Sequence, residues 1–186
     1  MFQFYLYIFD LKGILIHMKK LLLSLLITLS ATILAKTPES LFGVYINDNV
    51  LDYVTKEELK SKRKYIKGFY YLLLETPPVS NKDYLDSLFV MFDKNNKISN
   101  IQSEKTFQNL ENCKNMEVSA RRTLENKYDI EFVRNLNAQY AFQKWVRDYA
   151  IGTACKASSK DKIILYLYLE TQEYSKKYSE YIDSKI

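Results

Sequence analysis

The chain has 186 residues, with 27 basic side chains, 22 acidic side chains and a single histidine. It has only four glycines and none of the patterns GxSxG, GxxxxGKS/T or GxGxxG. The composition therefore disfavours esterase-type serine hydrolases and enzymes that hold phosphate in a glycine-rich loop.

An export signal is predicted at residues 18–35. Its start, MKK, is positive, and the following fifteen residues, 21–35, carry no charge. A helix needs roughly 20 apolar residues to span a bilayer, so this shorter run is typical of a cleaved secretory signal. We expect cleavage after Ala35, and no cysteine follows that could carry a lipid anchor. The mature protein is therefore predicted to be periplasmic or secreted.

Residues 1–17 stand in front of an already complete signal. They are apolar and aromatic but include Asp10, and we interpret them as a misassigned N-terminal extension, with translation starting at Met18. The alternative is that they join the leader as a longer, uncleaved anchor. The lysines at positions 19 and 20 disfavour this alternative because they interrupt the apolar run.

Removal of residues 1–35 limits the chemistry available to the remainder. It takes away three basic residues and one acidic residue, which leaves 24 against 21 and a net charge of +3. This charge is too small to indicate nucleic-acid binding. The only histidine, His17, is also lost, so we expect neither a Ser-His-Asp site nor His-ligated zinc. No cofactor is predicted.

The two remaining cysteines, Cys113 and Cys155, are predicted to form a disulfide, because the exported protein would meet an oxidising compartment. Residues 36–186 are numerous enough for a single domain with its own core. We therefore divide the chain into the extension 1–17, the signal peptide 18–35 and this one domain.

The first half of the domain shows one helix pattern among strand patterns. Thr55 and Glu58 form a capping box that predicts the start of the helix. Pro77 and Pro78 predict the end of the strand at 69–75. Turn residues at 93–96 predict a hairpin. The predicted strands are 41–46, 69–75, 85–92 and 97–107, with a bulge near Asn100, and the predicted helix is 55–65.

The second half begins with the clearest helix, capped by Asn109. Its periodicity predicts a buried face, made of Cys113, Met116, Ala120, Leu124 and Tyr128. Charged residues fall on its other faces, namely Lys114, Glu117, Arg121 and Glu125. Residues 130–142 are ambiguous between a partial helix and an irregular connection. Strands are predicted at 144–157, with Trp145 in the core, and at 162–170, followed by a terminal helix capped by Thr171.

These elements predict an α+β fold. The expected architecture is a small antiparallel sheet of about five to six strands, with two or three helices packed mainly on one side. The Cys113–Cys155 disulfide would join the central helix to the later strands.

The leading functional hypothesis is a small, non-enzymatic protein of the bacterial envelope that acts by binding a protein or a ligand. The alternative is a cell-envelope hydrolase that uses two carboxylates about 5 to 9.5 Å apart. Its candidate carboxylates are Glu75, Asp83, Asp86 and Glu104, of which no two are marked as a pair.

A third hypothesis is binding to an anionic surface through a basic segment with aromatic neighbours. The candidate contacts are Lys60, Lys62, Arg63, Lys64, Lys67, Tyr70 and Tyr71. The simpler interpretation is that these residues form the solvated face of a short helix and the strand that follows it. The expected partners are thus an envelope protein or an anionic surface, with no nucleic acid and no membrane span in the mature chain.

Overall fold

The computed structural model describes residues 36–66, 68–79, 83–134, 141–159 and 162–184. All of them belong to one compact unit, Ala35–Ile186. The predicted signal peptide, the upstream extension and Lys67 lie outside the described residues. The cleavage site and the start of translation therefore remain predictions.

The described residues form a two-stranded sheet, an eight-stranded sheet and three α-helices. The strands are β1 (Ser40–Leu41), β2 (Val44–Tyr45), β3 (Lys64–Ile66), β4 (Phe69–Leu74), β5 (Ser87–Phe92), β6 (Ile98–Phe107), β7 (Val133–Arg134), β8 (Ala141–Val146), β9 (Tyr149–Ser159) and β10 (Lys162–Thr171). The helices are α1 (Lys56–Lys62), α2 (Leu110–Tyr128) and α3 (Gln172–Asp183), and a 3₁₀ turn spans Val50–Asp52.

The large sheet is antiparallel throughout and has the order β3-β4-β5-β6-β10-β9-β8-β7. Strands β3 to β6 form one meander, and strands β7 to β10 form a second. The two meanders join at the centre of the sheet, where β6 pairs with β10. The α+β class is confirmed, but the predicted size of five to six strands is wrong because the sheet has eight.

Two of the additional strands come from segments with weak strand patterns. The predicted helix over 55–65 ends at Lys62, and Lys64–Ile66 instead forms the edge strand β3 against β4. Val133–Arg134, within the ambiguous connection, forms the other edge strand, β7. Both strands are very short, as is common at sheet edges.

A third additional strand arises because the single strand predicted over 144–157 is a hairpin. Strand β8 ends at Val146, which pairs with Tyr149 at the start of β9. The turn consists of Arg147 and Asp148, and Arg147 has a φ of +54°. Arginine is an unusual residue for a left-handed turn position, which glycine, asparagine and aspartate favour. Asp148 was therefore the only turn residue in this pair that the sequence offered, and it lay within an otherwise continuous strand pattern.

The N-terminal strand predicted over 41–46 is likewise two short strands. Phe42 and Gly43 both have positive φ, of 52° and 79°, and they form the turn between β1 and β2. Glycine is required at the second position, since a Cβ there would lie 2.9 Å from the Cβ of Pro78. This contact holds the small hairpin against the segment that follows β4.

The three predicted helix starts are confirmed. Thr55 and Glu58 form a reciprocal capping box at the start of α1. The Asn109 side chain accepts a hydrogen bond from the Asn112 N–H at 2.8 Å, and the Thr171 hydroxyl accepts one from the Tyr174 N–H at 3.1 Å. The predicted bulge in the second strand of the hairpin is also present, because Met91 pairs with Asn100 while Phe92 pairs with Ile98.

One face of the large sheet carries the hydrophobic core, and α1 and α2 cover it. Alternate residues of the central strands point to this face, including Leu72, Val90, Ile101, Ile151 and Leu165. Leu59 of α1 and Cys113, Ala120 and Leu124 of α2 pack in the same cluster. Helix α3 lies on the opposite face, where the Tyr174 ring packs 4.6 Å from the Phe69 ring. Two of the three helices thus share one side.

The buried face of α2 differs from the prediction at one position. Glu117 was expected on a charged face, yet only 4 % of it is exposed, whereas Met116 is partly buried. The Glu117 carboxylate accepts a hydrogen bond from the Thr153 hydroxyl on β9 and lies 3.4 Å from the Arg121 side chain. Because these two partners satisfy the charge, the carboxylate is tolerated against the sheet.

The predicted disulfide is present. Cys113 on α2 and Cys155 on β9 are bonded, with Cα atoms 6.1 Å apart and a sequence separation of 42. Both cysteines are buried. The bond fixes the long helix to the sheet at the centre of the core.

Removal of this bond by the double substitution Cys113→Ala, Cys155→Ala is expected to lower the free energy of unfolding by about 4 kcal/mol, the chain-entropy value for a loop of this length. Urea denaturation of the oxidised, the reduced and the double-variant protein measures the effect. The reduced protein should agree with the variant, and a loss of under 1 kcal/mol in both would contradict the prediction.

Candidate functional site

The face of the large sheet opposite α1 and α2, here called the open face, carries a different set of side chains. One row of directly paired residues crosses it, in the order Trp145, Ala150, Glu170, Asn100, Met91 and Tyr71. The neighbouring row contains Gly152, Tyr168, Gln102 and Phe89. Polar, aromatic and small residues are therefore mixed on this face, in contrast to the apolar core side.

A cleft of about 520 Å³ lies between the open face and α3. Its aromatic lining consists of Phe69, Tyr71, Tyr168, Tyr174 and Tyr178, and its polar lining consists of Asn100, Gln102, Lys156, Glu170, Ser175 and Ser179. Ile66, Met91, Ala141 and Ala154 complete the lining. This size and this combination of apolar walls with a few polar groups are typical of small-molecule sites.

The aromatic wall on the α3 side is held by contacts along the helix and with the sheet. Tyr174 packs against Phe69 at 4.6 Å and against Tyr178, one turn further, at 6.0 Å between ring centroids. The Tyr174 hydroxyl donates to the sulfur of Met91 at 3.3 Å. On the sheet, Tyr71 stacks on Phe89 at 5.1 Å. These contacts fix the orientation of the rings that face the cleft.

Gly152 determines the position of the Tyr168 ring. The two residues pair directly across β9 and β10, and a Cβ placed on Gly152 would lie 2.3 Å from the tyrosine hydroxyl oxygen. The ring therefore occupies the space that any other side chain at position 152 would fill. This position keeps the ring close to the sheet, where it lines the cleft.

The polar centre of the cleft is formed by Glu170 and Asn100. These residues pair directly across β10 and β6, and the Asn100 amide donates a hydrogen bond to the Glu170 carboxylate at 3.2 Å. Asn100 is only 3 % exposed, and its Oδ1 atom has no hydrogen-bond partner. A buried acceptor without a partner is uncommon in folded proteins.

Burial raises the pKa of the Glu170 carboxyl above its ordinary value, although the hydrogen bonds from Ser175 and Asn100 act in the opposite direction. Burial also raises the pKa of the Tyr168 and Tyr174 hydroxyls, and the negative charge of Glu170 adds to both shifts. The site therefore contains a partly desolvated carboxylate whose field reaches two aromatic side chains of the cleft.

The carboxylates proposed for a hydrolase lie at separate places. Glu75 pairs with Lys62 at 3.0 Å, and Asp86 pairs with Lys105 at 2.8 Å. Asp83 does not line the cleft.

Glu104 lies on the open face with Glu170, but it pairs with Tyr166 and stands four residues along the strands from the Glu170 pair. The backbone separation is roughly 13 Å at the rise per residue of a strand. Glu104 also does not line the cleft that Glu170 lines.

The two tyrosines of the predicted basic segment lie on different sides of the sheet. Tyr70 and Tyr71 are consecutive in β4 and therefore point to opposite faces, and only Tyr71 lines the cleft. The Arg63 guanidinium lies 4.9 Å from the centre of the Tyr70 ring.

The cations of the segment are also distributed among several elements. Lys60 and Lys62 lie on α1, and Lys62 is close to both Glu58 and Glu75, at 3.6 and 3.0 Å. Lys64 lies on β3, paired with Tyr71. Binding of this segment to an anionic surface remains a prediction.

Sequence analysis did not identify Asn100, Glu170 or Tyr168 as site residues. Glu170 was treated as the end of a strand and Asn100 as part of a bulge. The prediction that Trp145 is in the core is wrong, because 42 % of it is exposed on the open face. The available signal was the pattern of β10, in which Tyr166, Tyr168 and Glu170 alternate with three buried leucines. Tyrosines on the outer face are notable because the solvent-facing side of an antiparallel sheet is usually more polar than this.

Comparison of the chain with models of protein families, with curated proteins and with solved structures finds no match. Within the described ranges, no three histidine, cysteine, aspartate or glutamate side chains cluster in a way that could hold a metal ion. None of the helices in this part of the chain has the length and apolar character needed to cross a membrane.

The partial burial of Glu170 predicts a pH-dependent effect of Glu170→Gln. Because the folded protein holds the Glu170 proton to a higher pH than the unfolded chain does, ionisation of Glu170 reduces stability as the pH rises above about 4.5. We therefore expect the variant to be more stable than the wild type at pH 7, and this advantage to shrink as the pH falls to 4. Urea unfolding at both pH values measures it.

Asp86→Asn serves as a control, because its expected effect on stability at pH 7 is opposite to that of Glu170→Gln. Burial opposes its ionisation, but the hydrogen bonds from Lys105 and Thr106 prevail and lower the pKa of Asp86. This substitution should destabilise the protein at pH 7 and have less effect at acidic pH. An advantage of Glu170→Gln that does not change between pH 4 and pH 7 would contradict the assignment.

Proposed function

We propose that this protein is an exported, non-enzymatic binding protein of the bacterial envelope and that the cleft under α3 holds a small ligand with an apolar body. The observation that supports the ligand site is the cleft itself. It combines five aromatic side chains with a polar centre made of the buried Asn100 and the partly buried Glu170. The sequence supports export through the pattern of residues 18–35.

The arrangement of the cleft favours binding over catalysis. Its walls are apolar rings held by packing contacts, which suits the burial of an apolar ligand surface. Among its polar groups, Asn100 and Glu170 form one directly paired position, and the second carboxylate of the open face, Glu104, does not line the cleft. One such pair of polar side chains is enough to orient a bound ligand.

The disulfide is compatible with this proposal, because a protein that functions outside the cytoplasm keeps the Cys113–Cys155 bond oxidised. The bond joins α2 to the core side of the sheet, so it does not occupy the open face. It stabilises the sheet whose opposite face carries the cleft. Rigid support reduces the conformational entropy that ligand binding would otherwise cost.

Binding of Nile red, an uncharged dye that fluoresces in apolar surroundings, tests the cleft. We expect one dye molecule to bind per protein, and the fluorescence of Trp145, the only tryptophan, to change in the same titration. Tyr178→Ala removes a ring of the cleft wall and should weaken binding roughly fivefold, the order expected for one ring contact.

Tyr45→Ala is the matched control for this experiment. Tyr45 is also a tyrosine, 49 % exposed, and it does not line the cleft. This variant should bind the dye as the wild type does. Absence of dye binding to the wild type, or equal weakening in both variants, would refute the assignment of the cleft.

The export component is tested by the N-terminus of the mature protein. Mass spectrometry of the protein isolated from its own cells should give a chain that begins within a few residues of Lys36 and contains the Cys113–Cys155 bond. An intact leader on a protein recovered from the cytoplasm with reduced cysteines would contradict export.

A further inference from the structure

The polar centre of the cleft presents hydrogen-bond acceptors for which the described residues supply no matching donor. The Asn100 amide nitrogen is used by the Glu170 carboxylate, so the amide oxygen remains as the free group. This orientation is required, because the opposite one would place the amide oxygen against a carboxylate. Asn100 Oδ1 is thus a buried acceptor without a partner.

Glu170 also lacks a cationic partner among the described residues. It accepts hydrogen bonds from Asn100 and Ser175, both neutral, and it takes part in none of the ion pairs of this part of the chain. The lysine that lines the cleft, Lys156, pairs with Ile164, six residues along β10 from Glu170. This backbone separation is roughly 20 Å. Glu170 is thus a partly buried carboxylate with no compensating cation among the described residues.

Two tyrosine side chains of the same cleft lie near this uncompensated charge. Tyr168 and Tyr174 are close enough for the Glu170 charge to affect their hydroxyls. Tyr174 in turn packs on Phe69. The faces of aromatic rings attract cations, most strongly where water is excluded. The carboxylate and the rings therefore favour the same kind of ligand group.

We infer that the ligand of this cleft is a small organic amine in its protonated form, with its ammonium group at Glu170 and Asn100 and its apolar body against the tyrosines. The inference rests on the proposed function, which makes the cleft a ligand site. The ammonium donates N–H bonds to the carboxylate and to Asn100 Oδ1, which satisfies both acceptors. The volume of about 520 Å³ leaves room for an apolar body beyond the ammonium.

Displacement of Nile red by matched small molecules tests this inference. Hexylamine, 1-hexanol and hexanoate share one chain length and differ in the charge of the head group, and phenethylamine with 2-phenylethanol forms a second pair. On the wild-type protein at pH 7, each amine should displace the dye at a concentration at least tenfold lower than that of its alcohol. Hexanoate should be the weakest of the three hexyl compounds.

Two variants test whether Glu170 causes the preference for amines over alcohols. Glu170→Gln keeps the shape of the side chain and removes its charge, and it should bring the displacing concentrations of amine and alcohol to within twofold of each other. Glu104→Gln removes a carboxylate from the same face, but Glu104 does not line the cleft. This control should keep the tenfold preference.

The outcomes separate this inference from the proposed function. If Nile red binds the wild type but the amines displace it no better than the alcohols, the ammonium site is refuted and the ligand cleft stands. Preference for hexanoate refutes it as well. If the dye does not bind, both fail. Because the comparison of amine with alcohol uses the wild-type protein, it does not depend on the folding of any variant.

Discussion

The pairing of β6 with β10 is the contact on which the rest of this structure depends. It runs from Asn100–Glu170 to Phe107–Ile163 without interruption and is the only junction between the two four-stranded meanders of the described sheet. A shift of one residue in this register would turn every side chain of β10 to the other face. The leucines of β10 would then leave the core, and Glu170 would enter it.

The same register creates the cleft, because it decides which side chains meet on the open face. Asn100 and Glu170 are 70 residues apart in sequence and become direct neighbours only through this pairing. Their neighbours in the same row, Ala150 and Met91, are set by the adjoining registers of β9 with β10 and of β5 with β6. The site is therefore a product of strand order and not of any local motif.

On the core side, α2 is held to the sheet by two interactions of different kinds. The Cys113–Cys155 bond is covalent, and the hydrogen bond from Thr153 to Glu117 adds a polar contact two residues away on the same strand. Glu117 also pairs with Arg121, whose guanidinium lies 4.3 Å from the centre of the Phe142 ring. A buried pair of this kind contributes little net stability but penalises other alignments of the helix, since a shifted helix would bury an unpaired charge.

The parts of the fold that sequence analysis predicted well are those determined by neighbouring residues. The caps at Thr55, Asn109 and Thr171 depend on bonds within three residues, and the 93–96 turn depends on its own side chains. The turn at Arg147 was missed because arginine is not typical of a left-handed turn position and Asp148 alone did not mark the turn. The disulfide was predictable because the chain has only two cysteines and the sequence predicts export. The burial of Glu117 was not predictable, since its partner Thr153 lies on a strand that is distant in sequence.

The residues of the cleft could not be predicted for a related reason. Aromatic and polar side chains on the exposed face of a strand are ordinary, and their position next to one another follows only from the eight-stranded order. Gly152 illustrates the limit. As a single glycine in a strand it could indicate a bulge or a close approach, but the partner of that approach, Tyr168, is known only from the register of β9 and β10.

Gly152 also connects the construction of the sheet to the properties of the cleft. On the open face, β9 presents Ala150, Gly152 and Ala154, which leave space above the strand that larger residues would fill. The Tyr168 ring takes part of this space, and the remainder belongs to the cleft, which Ala154 lines directly. A bulkier residue at position 152 would push the ring outward, toward the rings of α3. The small residues of one strand therefore determine how much of the volume beside Glu170 stays available to a ligand.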